Sequence, residues 1–314
     1  MRAGVGSPGQ NGGPKCEIGV PSVSLTTSDA YDYMSLEGCM HENHDQGAAA
    51  VLPGGTALFA TLDGHGAEGA AVSRYCVKNL LAGVAAMLRA EKTAPEAIEW
   101  AFSRTSDTMA QHLTDCRFSG STAVVSVMQH TPEGRVLTTG WVGDSRGVVG
   151  RNVKAQKALT SVAITHDHKP EYPKERQRLA EARAIVRPSR VIHPHTGAWI
   201  EVGAVRVWDS SQIYGVAMSR ALGDHQVHPF LIAKPDVSVR MLDDKDRVLV
   251  LASDGVWDVM ENDEAVQLAA SSSPRVASRE IVEVCAKRWD GNMPGRRDDI
   301  TCVVVDLAHP DLIL

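Results

Sequence analysis

Carboxylates stand directly after several short apolar runs of this chain, and their positions are the first indication of chemistry. Asp63 and Asp254 each end such a run and are followed by glycine. A single Asp-Gly pair indicates only a turn, because both residues are ordinary turn formers. However, further acidic residues also stand where a predicted buried strand reaches an edge of the core, namely Asp45, Asp144, Asp258 and Asp298-Asp299. Like charges gathered at one end of a sheet repel each other unless a cation lies among them, so we predict a cation site.

The donor types indicate which cation this site would bind. Oxygen ligands, without cysteine and with few histidines, favour a hard ion such as Mg²⁺ or Mn²⁺. Two such ions, about 3.5–4 Å apart, hold a bridging water, lower its pKa and clamp the oxygens of a phosphoryl group. Gly64 has no Cβ, which lets the backbone come close enough for its carbonyl oxygen to join the ligands.

His65 follows this Asp-Gly pair directly. A lone histidine is more often a structural or surface residue. Beside a metal-binding carboxylate, it is also well placed to act as a general acid that protonates the leaving oxygen of a phosphoester. The sequence contains no Cys-x5-Arg loop, so a phosphatase mechanism based on a covalent cysteine intermediate has no residues to support it.

The elements that must position these residues are strands mixed with a few long helices. Apolar, β-branched runs predict strands at 56–62, 121–128, 136–143, 247–253 and 301–307. Helical spacing predicts helices over 68–89 and 94–113, the second with a Thr93/Glu96 capping box, a third over 273–288 and a short one near 173–184. This order favours an α+β fold with antiparallel sheets and outer helices over a doubly wound parallel sheet. The polar segment 150–215 is interpreted as an insertion over the sheet edges.

Composition and charge exclude several classes of function. A net charge of −6 argues against a nucleic-acid partner, and no apolar run approaches the roughly 20 residues that span a membrane. The six cysteines are scattered, which predicts free thiols and a cytoplasmic or nuclear location. The Gly- and Pro-rich start predicts a disordered tail over 1–20, followed by a single domain over 21–314. We expect a monomer.

Seven segments together resemble, in order, the signature segments of the metal-dependent protein phosphatase 2C family. They are TLDGHGAEG, SGSTAV, WVGDSRGVV, THDHKP, GVAMSRALGD, LASDGVWDVM and RRDDITCVVV. The resemblance covers roughly residues 40–307 and implies a four-layer αββα fold, in which a sandwich of two antiparallel sheets is flanked by helices. It also implies that 150–215 is a flap that shapes substrate choice.

The resemblance implies roles for individual residues. Asp63 matches the carboxylate shared by two Mg²⁺ or Mn²⁺ ions, and the Gly64 carbonyl matches a ligand of one of them. The further metal ligands implied are Asp45, Asp254 and Asp298, with Asp144 and Asp258 at a third, weaker metal site. His65 matches the residue proposed as general acid. Ser219, Arg220 and Asp224 lie in a segment that we interpret as structural support.

The chain departs from the family pattern near Asp45. Many members have an arginine that grips the substrate phosphate five residues earlier, and a glutamate just before the aspartate. Met40 and His44 stand in those places here. His41 is our candidate for part of the missing positive charge. Because a bidentate arginine gives planar, charge-assisted recognition of phosphate, we expect weaker substrate binding without loss of chemistry.

Three functions remain as hypotheses. The first is a Mg²⁺- or Mn²⁺-dependent phosphatase acting on phosphoserine and phosphothreonine in proteins, with a metal-activated water as nucleophile. The second is a weak or inactive relative that regulates partners by binding them, and Met40 and His44 support it. The third, a Ca²⁺-binding structural protein, is disfavoured because the chain has no EF-hand spacing.

Overall fold

The computed structural model describes residues 23–153 and 158–312. The predicted tail over 1–20 lies outside the described residues. The described helices are α1 (Gly69–Arg89), α2 (Ala94–His112), α3 (Pro173–Glu181), α4 (Asp254–Trp257), α5 (Asn262–Ser271) and α6 (Pro274–Asn292). The described strands are β1 (Tyr31–Leu36), β2 (Gln46–Val51), β3 (Ala57–Leu62), β4 (Gly64–His65), β5 (Gly120–Ser121), β6 (Ala123–Thr131), β7 (Gly134–Val142), β8 (Arg146–Arg151), β9 (Thr160–Ala163), β10 (Ile185–Ile192), β11 (Trp199–Trp208), β12 (Gly215–Val216), β13 (Leu222–Gly223), β14 (Asp236–Met241), β15 (Asp246–Ala252) and β16 (Ile300–Asp306).

Two five-stranded antiparallel sheets form the centre of the molecule. One has the strand order β14-β7-β6-β3-β2 and the other has the order β1-β16-β15-β8-β9. Their facing sides share one apolar cluster, in which Phe59 and Trp141 of the first sheet pack with Leu249 and Val303 of the second. The inner strands β3, β15 and β16 are almost fully buried because both of their faces are covered, which explains their nearly continuous apolar runs.

Helices cover the outer face of each sheet. Helices α1 and α2 bury Leu80 and Phe102 against the first sheet, and α5 and α6 bury Val266 and Ile281 against the second. The predicted capping box at the start of α2 is present: Thr93 Oγ1 accepts from the Glu96 N–H, and the Glu96 carboxylate accepts from the Thr93 N–H. The predicted α+β fold with four αββα layers is confirmed.

The chain between β9 and β13 forms a smaller substructure beside the sandwich. Strand β9 lies within the predicted insertion 150–215, but it is the edge strand of the second sheet. After it come helix α3 and a three-stranded antiparallel sheet of β10, β11 and β12. Leu179, Val207 and Leu231 belong to a separate small apolar cluster here. The proposed role of this segment as a flap stays a prediction.

The described residues contain no helix that is long and apolar enough to cross a membrane. Their cysteines are all free thiols, and Cys76, Cys116, Cys285 and Cys302 are buried. Buried free thiols of this kind behave as small apolar side chains, as the scattered spacing predicts.

Candidate active site

Strand pairing brings the predicted metal ligands to one edge of the sandwich. Gln46 of β2 pairs with Leu62 of β3, so Asp45 and Asp63, the next residues outward, lie at the same edge. In the second sheet Ala252 pairs with Cys302, which places Asp254 and Asp298 just beyond paired strand ends. The strand pairing therefore brings together aspartates that stand at separate strand ends in the sequence.

Asp63 lies at the centre of this acidic cluster. Burial raises its pKa well above the ordinary value, and the negative charges of Asp254, Asp45, Asp298 and Asp144 raise it further. Carboxylates affect each other in this way only when they are close and poorly screened by water. The site therefore carries more negative charge than its own residues neutralise.

Asp45 is the most enclosed of the predicted ligands, with a relative exposure of 2%. Its Oδ2 accepts a hydrogen bond of 2.6 Å from Ser253 Oγ, whereas its Oδ1 has no partner among the described residues. Burial raises the pKa of Asp45 to about 7, although the Ser253 hydrogen bond opposes the shift. A buried carboxylate oxygen without a donor is an available ligand for a cation.

Asp254 and Asp298 complete the inner group, and burial is the largest cause of the raised pKa of each. Asp299, the neighbour of Asp298, has a different function. Its buried carboxylate accepts from the backbone N–H groups of Gly38 at 2.6 Å and His44 at 2.7 Å. Asp299 therefore fixes the loop before Asp45, and only Asp298 of this pair is available to the cluster.

Asp144 and Asp258, predicted for a third metal site, lie at the outer side of the cluster. Asp144 is buried, and its Oδ2 forms an ion pair with the ammonium group of Lys169. Asp258 is more exposed, and partial desolvation together with the Asp144 charge raises its pKa, against the effect of Lys169. Sequence reasoning missed Lys169, which supplies a positive charge where the third cation was predicted.

Gly64 occupies a space that leaves no room for a side chain. A Cβ there would collide with the Gly69 carbonyl group and would lie 2.9 Å from the His44 carbonyl oxygen. The Gly64 N–H donates to that same His44 oxygen at 3.2 Å. The backbone around Gly64 is therefore too closely packed for a side chain, and the role of its carbonyl oxygen as a metal ligand stays a prediction.

Replacing Gly64 with alanine is expected to lower the free energy of unfolding by about 2 kcal/mol, because the obstacles are backbone atoms that cannot rotate away. Gly291, near the end of α6, is the matched control, since its added Cβ meets no atom within 4 Å. Gly291→Ala should be neutral or stabilising by up to about 0.5 kcal/mol. Urea unfolding of both variants measures the difference, and equal stabilities would contradict the crowding at Gly64.

His65 is held by a buried carboxylate. Its Nε2 donates to Asp224 Oδ2 at 2.7 Å, and its Nδ1 has no partner among the described residues. Burial lowers the pKa of His65, but the charge and hydrogen bond of Asp224 outweigh this effect, and the net pKa is raised. The hydrogen bond to Asp224 therefore orients the ring. It leaves Nδ1 as the ring nitrogen that is available to carry a transferable proton.

The loop before Asp45 places two histidine rings face to face. His41 and His44 stack with centroids 4.0 Å apart and planes at 11°. Burial lowers the pKa of His44, which is 5% exposed, and the neighbouring His41 lowers it further. His41 is more exposed and its Nδ1 lies 3.7 Å from Asp299 Oδ2, while the Met40 side chain is 68% exposed and uncharged. His41 thus lies beside the acidic cluster, and its predicted contact with phosphate stays a prediction.

The donor set fits a hard divalent cation. Carboxylate oxygens line the centre. Among the described residues, Asp45 Oδ1 and Asp144 Oδ1 are buried without a hydrogen-bond partner, as is His44 Nδ1 in the adjoining loop. Across residues 23–153 and 158–312, no three His, Cys, Asp or Glu side chains stand close enough to enclose an ion by themselves. Such a set suits Mg²⁺, which keeps several waters and is usually bound through one or two carboxylates.

Comparison with known proteins supports the resemblance seen in the sequence. A family model described as protein phosphatase 2C matches residues 30–291. The rice protein named Probable protein phosphatase 2C member 13, mitochondrial (Oryza sativa subsp. japonica) is 33% identical over 282 residues, which cover 88% of this chain and 68% of the relative. Probable protein phosphatase 2C 72 of Arabidopsis thaliana is 33% identical over 299 residues, covering 88% of this chain and 85% of the relative.

A solved structure shows the same fold. The serine-threonine phosphatase 2C from Toxoplasma gondii superposes with a TM-score of 0.70 at 23% identity, and the match covers 91% of this chain and 98% of that one. The family model spans most of the chain, and two relatives exceed 30% identity over most of their own length. The chain therefore belongs to the protein phosphatase 2C family of protein phosphatases.

Proposed function

We propose that this chain is a metal-dependent protein serine/threonine phosphatase that removes phosphate from phosphoserine and phosphothreonine side chains. The observation that carries the proposal is the group of four aspartates whose pKa values burial and neighbouring carboxylates raise together. Divalent cations offset such a concentration of negative charge, and phosphoryl transfer is the chemistry that a pair of them favours.

The chain supplies ligands for two Mg²⁺ or Mn²⁺ ions. Asp63 would be shared by both ions, with the Gly64 carbonyl oxygen, Asp45, Asp254 and Asp298 as further ligands. Two ions in such a site supply an activated water for in-line attack on phosphorus and neutralise charge on the phosphoryl oxygens. A third ion at Asp144 and Asp258 would compete with the Lys169 ammonium group.

His65 would donate a proton from Nδ1 to the oxygen that leaves with the serine or threonine. Asp224 holds the ring through Nε2, so the donor atom is fixed in direction before the substrate binds. Proton donation matters because the alkoxide of serine or threonine is a poor leaving group. The proposed chemistry needs no covalent bond between enzyme and phosphate.

The second candidate is a regulatory protein with little or no catalysis, and Met40 is the observation that favours it. Its exposed, uncharged side chain stands where many family members carry a phosphate-binding arginine. His41 is the residue next to it that could bind phosphate when protonated. Weak substrate binding with intact chemistry would be seen as a high KM with a normal kcat.

The test measures phosphate release from a phosphothreonine peptide by the full chain after removal of metal. We expect turnover on addition of Mn²⁺ or Mg²⁺ and its loss with EDTA. Turnover that does not depend on metal would contradict the proposal. Mn²⁺-induced thermal stabilisation without any turnover would favour the regulatory candidate instead. A monomeric state and a cytoplasmic or nuclear location stay predictions.

A further inference from the structure

Tyr214 connects the substructure beside the sandwich to the predicted general acid. Its hydroxyl group donates to Asp224 Oδ1 at 2.7 Å, and Asp224 Oδ2 accepts from His65 Nε2 at the same distance. Tyr214 directly precedes β12, which pairs with β11. A continuous hydrogen-bonded chain therefore runs from this substructure to the imidazole ring.

We propose that Tyr214 is a positioning residue for catalysis, which acts on His65 through Asp224. The inference rests on the proposed phosphatase function. Tyr214 holds one oxygen of the Asp224 carboxylate, so that the other oxygen fixes the plane and direction of the His65 imidazole ring.

Asp224 is well suited to transmit this effect. It is completely buried, and its backbone has a positive φ of 50°, a left-handed conformation that residues other than glycine seldom adopt. Its N–H donates to the Ser119 carbonyl oxygen, which anchors the backbone but does not itself orient the carboxyl group. The fold accepts an unfavourable backbone conformation here, and strain of this kind is concentrated at functional sites.

The hydrogen bond between His65 and Asp224 also lies in a closely packed space next to Gly120. A Cβ at Gly120 would collide with the Asp224 carboxylate and would lie 2.7 Å from His65 Nε2. Gly120 pairs with His65 on one side and with Gly223 on the other. Strand β5 therefore fixes the backbone at His65 and next to Asp224. The hydrogen bond from Tyr214 then fixes the rotation of the Asp224 carboxylate.

Tyr214 is itself fixed in place. Its ring meets the Phe118 ring edge to face, with centroids 5.3 Å apart and planes at 82°. Its hydroxyl group lies 3.0 Å from the Phe118 carbonyl oxygen, but the contact with Asp224 is shorter and its acceptor is charged. A hydroxyl group has one proton, and the carboxylate is the stronger acceptor for it. Burial and the Asp224 charge raise the pKa of Tyr214, so the hydroxyl group remains a donor.

The consequence depends on the leaving group of the substrate. A misdirected His65 delivers its proton poorly, and a threonine alkoxide needs that proton, whereas para-nitrophenolate leaves without it. Tyr214→Phe should therefore lower kcat about tenfold on a phosphothreonine peptide, leave KM unchanged, and change para-nitrophenyl phosphate turnover less than twofold. General acids contribute roughly 10²- to 10⁴-fold in total, so a tenfold loss matches partial disorientation.

Tyr75→Phe is the matched control. The Tyr75 hydroxyl group is also hydrogen bonded to one side chain, Thr108 Oγ1 at 2.8 Å, but this contact joins the outer helices α1 and α2. The control variant should hydrolyse both substrates at the wild-type rate. Thermal unfolding of each variant shows that the loss in Tyr214→Phe is not a loss of folded protein.

A double-mutant cycle tests whether Tyr214 acts through His65. In a His65→Gln background, Tyr214→Phe should cause no further loss on the phosphothreonine peptide, because the group that it positions is absent. Equal losses on both substrates, additive losses in the cycle, or no loss at all would each overturn the inference. These outcomes leave the proposed function intact, whereas a wild-type chain without metal-dependent turnover would overturn both.

Discussion

Asp63→Asn is expected to lower Mn²⁺-dependent phosphate release by at least about 10³-fold and to make the metal-free chain more stable. Activity falls because the carboxylate proposed to be shared by both ions is lost. Stability rises because the buried charge of Asp63 lies among the charges of Asp254, Asp45 and Asp298. Removing one of several like charges relieves their repulsion, and we expect the thermal midpoint without metal to rise by roughly 2 °C or more.

The same variant should also lose most of its response to metal. In the wild-type chain, an ion that binds only the folded state adds RT ln(1 + [L]/Kd) to stability, about 2.7 kcal/mol at a hundredfold excess over Kd. Calorimetry with and without Mn²⁺ measures this gain separately from activity. In Asp63→Asn the gain should nearly disappear, so the order of stabilities of the two proteins reverses when metal is added.

Asp107→Asn provides the control for this experiment. Asp107 is exposed on α2, and among the described residues its carboxylate accepts one hydrogen bond, of 3.3 Å, from Ser103 Oγ. The substitution removes the same charge far from the cluster, so both activity and the Mn²⁺ response should stay at wild-type levels. An active Asp63→Asn enzyme, or one that Mn²⁺ stabilises as much as the wild type, would show that the aspartates do not form a metal site.

The sequence predicted the central strands well because they are covered on both faces. Strands β3, β15 and β16 are mostly apolar, as is the first part of β6, and these strands and β7 each lie within three residues of their predicted bounds. Strands β2 and β8 contain Gly, Ala and Arg instead, and their sequences give no strand periodicity. They are strands because of their partners: β2 pairs along its whole length with β3, and β8 pairs with β15 and β9. Tertiary pairing of this kind has no local signal.

The same distinction applies to the site. The convergence of Asp63, Asp144 and Asp254 could be predicted because each follows a recognisable strand, and strand ends converge in a sandwich. Asp45 instead precedes β2, whose own sequence gives no strand signal. The contacts of Lys169, Asp299 and Tyr214 could not be predicted, since no local pattern pairs them with their partners, even for Tyr214, whose partner Asp224 lies 10 positions away. Asp299, for example, binds the N–H of Gly38, which is 261 positions away. Such partnerships follow from the packed fold, and nothing in the neighbouring residues specifies them.

Glu175→Gln is expected to have the largest effect on stability among changes outside the acidic cluster. Glu175 lies in the first turn of α3 and is only 2% exposed. Its Oε1 accepts two hydrogen bonds from the Arg220 guanidinium group, at 3.1 and 2.5 Å, and its Oε2 accepts from Arg178 and from Ser219 Oγ. Removing this carboxylate leaves the buried Arg220 guanidinium with Asp236, 2.8 Å away, as its remaining ion-pair partner among the described residues. Breaking up a buried ionic network in this way costs about 3 kcal/mol.

The loss should depend on pH in a defined direction. Burial would raise the pKa of Glu175, but the hydrogen bonds and charge of Arg220, with Ser219 and Arg178, lower it from 4.5 to about 2. Because the pKa is lower in the folded state, the unfolded chain binds more protons between these two values. The stability from this carboxylate is therefore complete above about pH 4.5 and is lost as the pH falls toward 2, a change of about 3 kcal/mol.

Urea unfolding of wild type and Glu175→Gln at pH 7, 5 and 3 tests both expectations. The difference in free energy of unfolding between the two proteins should be constant from pH 7 to 5. It should shrink at pH 3, because at that pH the unfolded wild type binds a proton at Glu175 and the glutamine variant has no carboxyl group there. Glu181→Gln, an exposed residue of the same helix that accepts from Gln177, should differ from wild type by less than about 0.5 kcal/mol at every pH. A difference that stays constant down to pH 3 would show that folding does not lower the pKa of Glu175. Because Ser219 and Arg220 begin the segment that leads to Asp224, a weakened ion pair here should also loosen the carboxylate that holds His65.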